Sequence, residues 1–432
     1  MTAPPLLRDG PQDRPRRGPL AGRDFRLLWA GESVSRLGSA ITSVALPLVA
    51  VVTLDAGPLA AGLLSAAGWL PWLLFGLPAG VWAGRWPRRT VMIGCNLASA
   101  ALYASVPLTA ALGLLTLAQL LLVALLAGTA AVLFGAAHQA YLPELLPPED
   151  LTAGNARLQG SASAAQVAGP GLAGLTVQTL GAAAGLLADA LSFLVATAAL
   201  LLIRGDRGPA PAPDRAPMGR QLREGLAFVR RDPYLRPLLR YGAAANFALA
   251  GYQAVAVLFL LDEVGVPPAA VGWLAATGAL GGLLGAALAG RVTRRFGTAR
   301  GVRLTLLTAT PFGLLLPLTG PGARTALYAV GSVVMVAGAV LANVVLGSFR
   351  QRHAPPALLG RVVATSMVAN HATIPLGAVA GGVLGEVLGL RSTMWVMVVL
   401  LVLCGGALFA PPLRSLRDLP TGPGRGVGGG ES

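Results

Sequence analysis

The chain has 432 residues, of which 54% are hydrophobic and only 12% charged, with a formal net charge of +15. So large an apolar share excludes an ordinary soluble domain and places all but the ends of the chain in the membrane class. Nor does the charge point to nucleic acid: all 33 basic residues are arginine. They gather in short breaks between apolar stretches, where basic residues orient a membrane protein.

Residues 1–24 are rich in Pro, Gly and Arg, lack the apolar core of a signal peptide, and are expected to be a disordered cytoplasmic tail. Apolar runs of about twenty residues, enough to cross the hydrocarbon core, then follow one another. They lie at 26–53, 59–84, 90–112, 114–140, 156–178, 182–203, 237–261, 268–290, 302–319, 325–348, 361–385 and 391–411. Only helices or closed barrels satisfy their backbone groups in lipid, and these runs are too long and too continuously apolar for barrel strands. The predicted fold is therefore all-α, with twelve transmembrane helices. Ala83-Gly84-Arg85-Trp86-Pro87-Arg88-Arg89, after the second run, recurs as Ala289-Gly290-Arg291-Val292-Thr293-Arg294-Arg295 after the eighth. That repeat divides the bundle into two pseudo-symmetric six-helix halves, 25–204 and 237–412.

The segment 205–236 between the halves opens with the Pro-rich stretch Gly208-Pro209-Ala210-Pro211-Ala212-Pro213 and reads as a linker. Over 218–231, Leu222, Gly225, Leu226 and Val229 share one face, with Arg220, Arg223, Arg230 and Arg231 elsewhere. This pattern suits a short helix on the inner membrane surface, a solvated connector being the alternative. Residues 413–432 read as a second disordered cytoplasmic tail. Arg8 to Arg26, both repeated clusters, Arg157, Arg204 to Arg240, Arg350 to Arg361 and Arg414 to Arg425 fall on one side of the bundle. Only Arg324 and Arg391 fall on the other, so both termini are expected in the cytoplasm of a multi-pass cell-membrane protein.

Cys95 and Cys404 are far apart, and His138, His353 and His371 make no metal-ligand spacing. No catalytic constellation and no phosphate-binding GxxxxGK[ST] run is visible, so neither an enzyme nor direct ATP coupling is expected. Charges inside spans cost about 2.5–3.5 kcal/mol at the bilayer centre, which makes them functional candidates. Glu32 and Arg36 stand four apart in the first span, either a proton site or a structural pair. Asp189 in the sixth span has no foreseeable partner in its own helix and suits helix pairing or proton coupling. His371, beside Asn370 in the eleventh, is either a packing residue or a coupling residue.

Several segments resemble, in order along the chain, the macrolide-efflux-like exporters of the major facilitator superfamily. These are Phe25-Arg26-Leu27-Leu28-Trp29, Leu142-Pro143-Glu144-Leu145 with Gly154-Asn155-Ala156, Asp189-Ala190-Leu191-Ser192-Phe193, and Leu359-Gly360-Arg361-Val362. The repeated cluster resembles that superfamily's motif A. Gly80, Ala83, Arg85, Arg88 and Arg89 match it, as do Arg291, Arg294 and Arg295, but Gly84 and Gly290 occupy the acidic position. The resemblance implies a lock between the halves. Without the carboxylate, it would rest on arginines meeting helix C-terminal carbonyls or another carboxylate such as Glu144, unless the arginines merely mark the inner side. Gly169-Pro170-Gly171-Leu172-Ala173-Gly174 resembles the end of the antiporter motif C, with close helix packing as the alternative role.

In that superfamily the first, fourth, seventh and tenth spans line a central cavity. The resemblance therefore makes Gln119, His138, Gln139, Asn246, Tyr252, Gln253 and Asn343 cavity candidates, with Asn370 beside them. Sparse polar groups in an apolar pocket suit bulky, weakly polar or cationic compounds. The implied function is export of hydrophobic or amphipathic small molecules by proton antiport. The alternatives are a carrier of one metabolite such as a siderophore, and a membrane sensor or scaffold. The expected partners are the substrate, protons and the lipid bilayer, with no nucleic acid, cofactor or metal, and the chain is expected to act as a monomer.

Overall fold

A backbone in hydrocarbon must bond to itself, and every regular element among the described residues is helical. The computed structural model describes residues 22–76, 78–79, 86–147, 149–204, 218–355, 358–409, 411 and 413–420. The helices are α1 (Arg23–Leu54), α2 (Pro58–Phe75), α3 (Arg88–Ala111), α4 (Leu117–Leu145), α5 (Leu151–Leu180), α6 (Ala182–Leu202) and α7 (Met218–Arg231). They continue with α8 (Leu235–Leu258), α9 (Pro268–Phe296), α10 (Thr298–Ala309), α11 (Thr325–His353), α12 (Leu359–Leu388) and α13 (Leu390–Cys404). Twelve of these occupy the twelve predicted spans, and α7 lies in the linker. Ten are long and apolar enough to cross a membrane. The other two are α5, with Asn155, Arg157, Gln159, Ser161 and Ser163 in its first half, and α10, which gives way to a 3-10 turn at Thr310–Leu315.

Burial follows the logic of a lipid solvent. On α6, Leu187, Leu191, Leu194 and Val195 are exposed while Asp189, Ser192 and Thr197 are buried. Lipid is as apolar as leucine, so polar groups and small residues hold helices together instead. In the first half α1 packs on α5 and α6, and in the second α8 packs on α12 and α13. The halves repeat down to a turn. Gly181 joins α5 to α6 at φ 88°, ψ 162°, and Gly389 joins α12 to α13 at φ 83°, ψ 161°. Only glycine occupies that conformation without strain.

The halves meet along two seams that the pseudo-symmetry relates, α2 on α12 and α5 on α9. At the end away from the arginine clusters, Gly62 of α2 lies against Ala378 and Gly382 of α12. Gly174 of α5 lies there against Pro268 and Ala269 of α9. Both contacts lie in the N-terminal parts of α2 and α9, remote from the arginine clusters that follow the one and end the other, so this end of the molecule is shut.

Val229 of α7 is buried with Leu235, Leu238 and Phe349 of the second half; the side chains of Arg220, Leu222 and Gly225 lie outside the described residues. One expectation needs correction. Residues 413–420 do not form a free tail. Leu413 and Leu419 are buried, and Asp418 Oδ1 accepts from the Thr298 N–H at 2.8 Å. Arg303 donates to the carbonyls of Leu413 and Leu416. The first turn of α10 has no capping side chain of its own, and this returning segment supplies one. The two outer stretches of the expected tails, 1–21 and 421–432, lie outside the described residues.

Candidate functional site

Two polar sites lie inside the bundle, one in each half. In the first, α1 carries Glu32 into the interior, where it is only 5% exposed. Its Oε1 lies 2.8 Å from His138 Nε2 of α4, and its Oε2 lies 3.5 Å from Arg36 Nη2 one turn along α1. Neither contact has the alignment of a hydrogen bond. Phe134 stacks on the His138 ring at 6.1 Å and 7°, which fixes the imidazole. A carboxylate, an imidazole and a guanidinium thus share one buried point, and the guanidinium is 46% exposed. Sequence spacing joined Glu32 to Arg36 but put His138 in the cavity.

Asp189 is fully buried on the α1–α6 contact. Ser192 donates to its Oδ1 at 3.0 Å, so the carboxyl has a partner in its own helix after all. Ser39 and Thr42 of α1 face the same group, and Gly38 leaves the room it needs. It acts in this arrangement as a polar joint between α1 and α6.

The second half holds a cavity of about 200 Å³ between α8, α10, α11, α12 and α13. Asn246, Gln253, Asn343 and Asn370 line it, together with Arg350 and Ser366, which sequence reasoning left unassigned. The Asn370 Oδ1 is buried without a hydrogen-bond partner among the described residues. The other cavity candidates lie elsewhere. Gln119 reaches the carbonyl of Ser105 in α3 at 3.4 Å, Gln139 is exposed on α4, and His138 belongs to the Glu32 site. Tyr252 is buried against Tyr328 of α11; it lies one position, about 100° of helix turn, from Gln253.

His371 sits on the α2–α12 seam. Its ring centroid is 5.8 Å from Trp69 and 6.0 Å from Trp72 of α2, and Nδ1 donates to the Met367 carbonyl at 2.8 Å. The motif C residues form the companion seam. Gly169 packs on Ala40 of α1, whereas Pro170 and Gly174 face Gly272 of α9.

Gly80 and Arg85 lie outside the described residues. Arg88 donates to Glu144 and to the Ala140 carbonyl of α4. Arg89 donates to the carbonyls of Leu200 and Leu201 at 2.8 and 2.9 Å, where α6 ends. These are the kinds of partner expected, a helix C-terminus and Glu144, but both belong to the first half. The contacts brace α3 against α4 and α6 and form no lock between halves in this arrangement. Arg291, Arg294 and Arg295 are exposed, and Arg295 lies over the Phe296 ring.

One buried pair gave no sequence signal. Asp232 Oδ1 accepts from the N–H groups of Tyr234 and Leu235, capping α8, while its Oδ2 lies 2.8 Å from His353 Nε2. His353, in the last turn of α11, is fully buried. The pair joins the N-terminus of α8 to the C-terminus of α11, and the Asp232 carboxylate lies where the α8 dipole favours it. Arg391, on the arginine-poor end, binds Glu263 at 3.0 Å and the Thr319 carbonyl at 3.0 Å.

Among known proteins, the family model described as Major Facilitator Superfamily matches residues 28–366 and 242–426. The multidrug efflux pump Tap of Mycolicibacterium fortuitum is 30% identical over 428 residues, covering 94% of this chain and 99% of the pump. Macrolide efflux protein A of Streptococcus pyogenes is 25% identical over 404 residues, covering 91% and 97%. A bacterial homologue of the iron transporter ferroportin shares the fold. Its inward-facing structure, 17% identical, superposes with a TM-score of 0.72 over 90% of this chain and 98% of that one. Its outward-facing structure, 19% identical, gives 0.56 over 89% and 98%.

Proposed function

The chain belongs to the major facilitator superfamily, and we propose that it exports hydrophobic or amphipathic small molecules from the cell in exchange for protons. With the arginine clusters on the cytoplasmic side, the shut end is the outer one and the conformation is inward-facing. The export direction rests on the full-length similarity to a multidrug efflux pump and a macrolide efflux protein. A single chain in the plasma membrane, both termini inside, suffices for alternating access of this kind.

The observation that carries the coupling is Glu32, held at 5% exposure with His138 and Arg36 around one carboxylate. We place the exchanged proton on this carboxylate. Neutralising Glu32 then leaves nothing to discharge. In an efflux-deficient bacterium, the chain is expected to lower accumulation of amphipathic toxic compounds, and a protonophore to abolish that effect. Glu32→Gln is expected to abolish it while the protein still inserts. Full resistance in Glu32→Gln cells removes Glu32 as the coupling site, and accumulation indifferent to the protonophore removes proton antiport altogether.

A further inference from the structure

The cavity of the second half is charged in one direction only. Its walls are largely apolar, with Leu249, Met335, Val336 and Leu401 deep inside, and among the described residues its lining includes Arg350 but no carboxylate. Among the described residues Arg350 has no ion pair, and Asp232, near the same end of α11, is already engaged by His353 and by two N–H groups of α8. Arginine cannot discard its charge. A half-buried guanidinium without an ion pair can take an anion, and its planar fork fits carboxylate or phosphate oxygens two at a time.

The lining is also graded along its length. From Met335 to Arg350 it runs about 20 Å along α11, at 1.5 Å per residue. Arg350 marks the arginine-rich mouth, Asn246, Asn343 and Asn370 the middle, and Leu249, Met335 and Leu401 the largely apolar floor, where Gln253 and Thr310 are the polar groups. We infer that this cavity takes an amphipathic molecule with an anionic head, Arg350 being the counter-ion and the apolar floor receiving the tail; this rests on reading the chain as an exporter of amphipathic compounds. A cationic head is repelled there, which narrows the substrate class that the sparse polar lining by itself left open.

The test is binding, which needs no transport. The full chain is purified into nanodiscs of phosphatidylcholine and titrated with dansyl-labelled undecanoate and with its uncharged methyl ester. The acid is expected to bind about tenfold or more tightly than the ester. Arg350→Gln is expected to bring the acid down to the level of the ester, and Arg350→Lys to keep most of the preference. Equal affinities in the native protein, or a preference that survives Arg350→Gln, overturn the assignment. The native acid–ester comparison decides the matter even if the variant does not fold. Anionic phosphatidylglycerol in the disc separates two sources of the same chemistry: displacement of the acid assigns the site to a lipid headgroup, and retention assigns it to a carried compound. Both keep Arg350 as the counter-ion. Because the readout is binding, a chain that binds the acid yet exports nothing loses only the exporter reading.

Discussion

Gly174→Ala tests the outer seam most directly. An added Cβ there would lie 2.7 Å from the Pro268 carbonyl oxygen and 2.9 Å from the Ala269 Cα, both backbone atoms of α9. Neither neighbour has a rotamer to change, so α5 and α9 must separate. Restoring ordinary carbon contacts takes roughly 0.5–1 Å, a gap that forfeits about a quarter to a half of each dispersion well along the seam. Overpacking of this kind costs about 1–3 kcal/mol, which moves a two-state equilibrium by about 5- to 150-fold. Intrinsic helix propensity acts in the opposite sense, favouring Ala over Gly by about 1 kcal/mol, so any opening arises from the seam. With both native cysteines replaced by serine, spin labels at Leu180 of α5 and Val387 of α12 report the outer separation by pulsed EPR. Gly174→Ala is expected to shift the distribution towards longer distances. Gly282→Ala, whose nearest neighbour is Val340 Cγ2 at 3.6 Å, is expected to leave it in place. An unchanged distribution in Gly174→Ala, or an equal shift in Gly282→Ala, refutes the seam argument.

Three further outcomes concern stability, read by thermal unfolding in detergent. Asp232→Ala removes both the cap of α8 and the partner of buried His353 and is expected to cost about 3 kcal/mol, whereas Asp232→Asn keeps the cap and costs about half as much; equal losses would dismiss the cap, and no loss in Asp232→Asn would dismiss the pair. Asp418→Ala uncaps α10 and is expected to cost about 1 kcal/mol, and no change would mean that the returning segment does not hold α10. Gly389→Ala forces a Cβ onto a backbone at φ 83° and is expected to cost about 1–3 kcal/mol, although nothing crowds the site; a neutral result would show that the junction relaxes.

The spans differ sharply in how much of their arrangement could be read in advance. Arg88 and Arg89 were legible as a group with carbonyl or Glu144 partners, because a basic break beside a helix end limits what it can reach. His138 was not legible as the neighbour of Glu32, nor Arg350 as a cavity residue. A soluble helix announces its buried face by apolar periodicity, but α4 and α11 are apolar all round, so their sequences do not say which way Gln119, His138 or Asn343 points. Tyr252 and Gln253 make the same point at adjacent positions, one in the packed core and one in the cavity.

What lipid and the backbone impose was readable segment by segment: helices where apolar runs reach spanning length, two halves where the arginine cluster repeats, and one side on which arginines collect. These follow from hydration and peptide chemistry, which act on each segment separately. Packing was needed to bring Glu32 to His138 and Asp232 to His353, to set glycines of α2 and α5 against α12 and α9 at the end away from the arginine clusters, and to put Arg350 at a largely apolar cavity. Those contacts join residues far apart in the chain, and they are set by rotations of helices whose surfaces lipid does not distinguish.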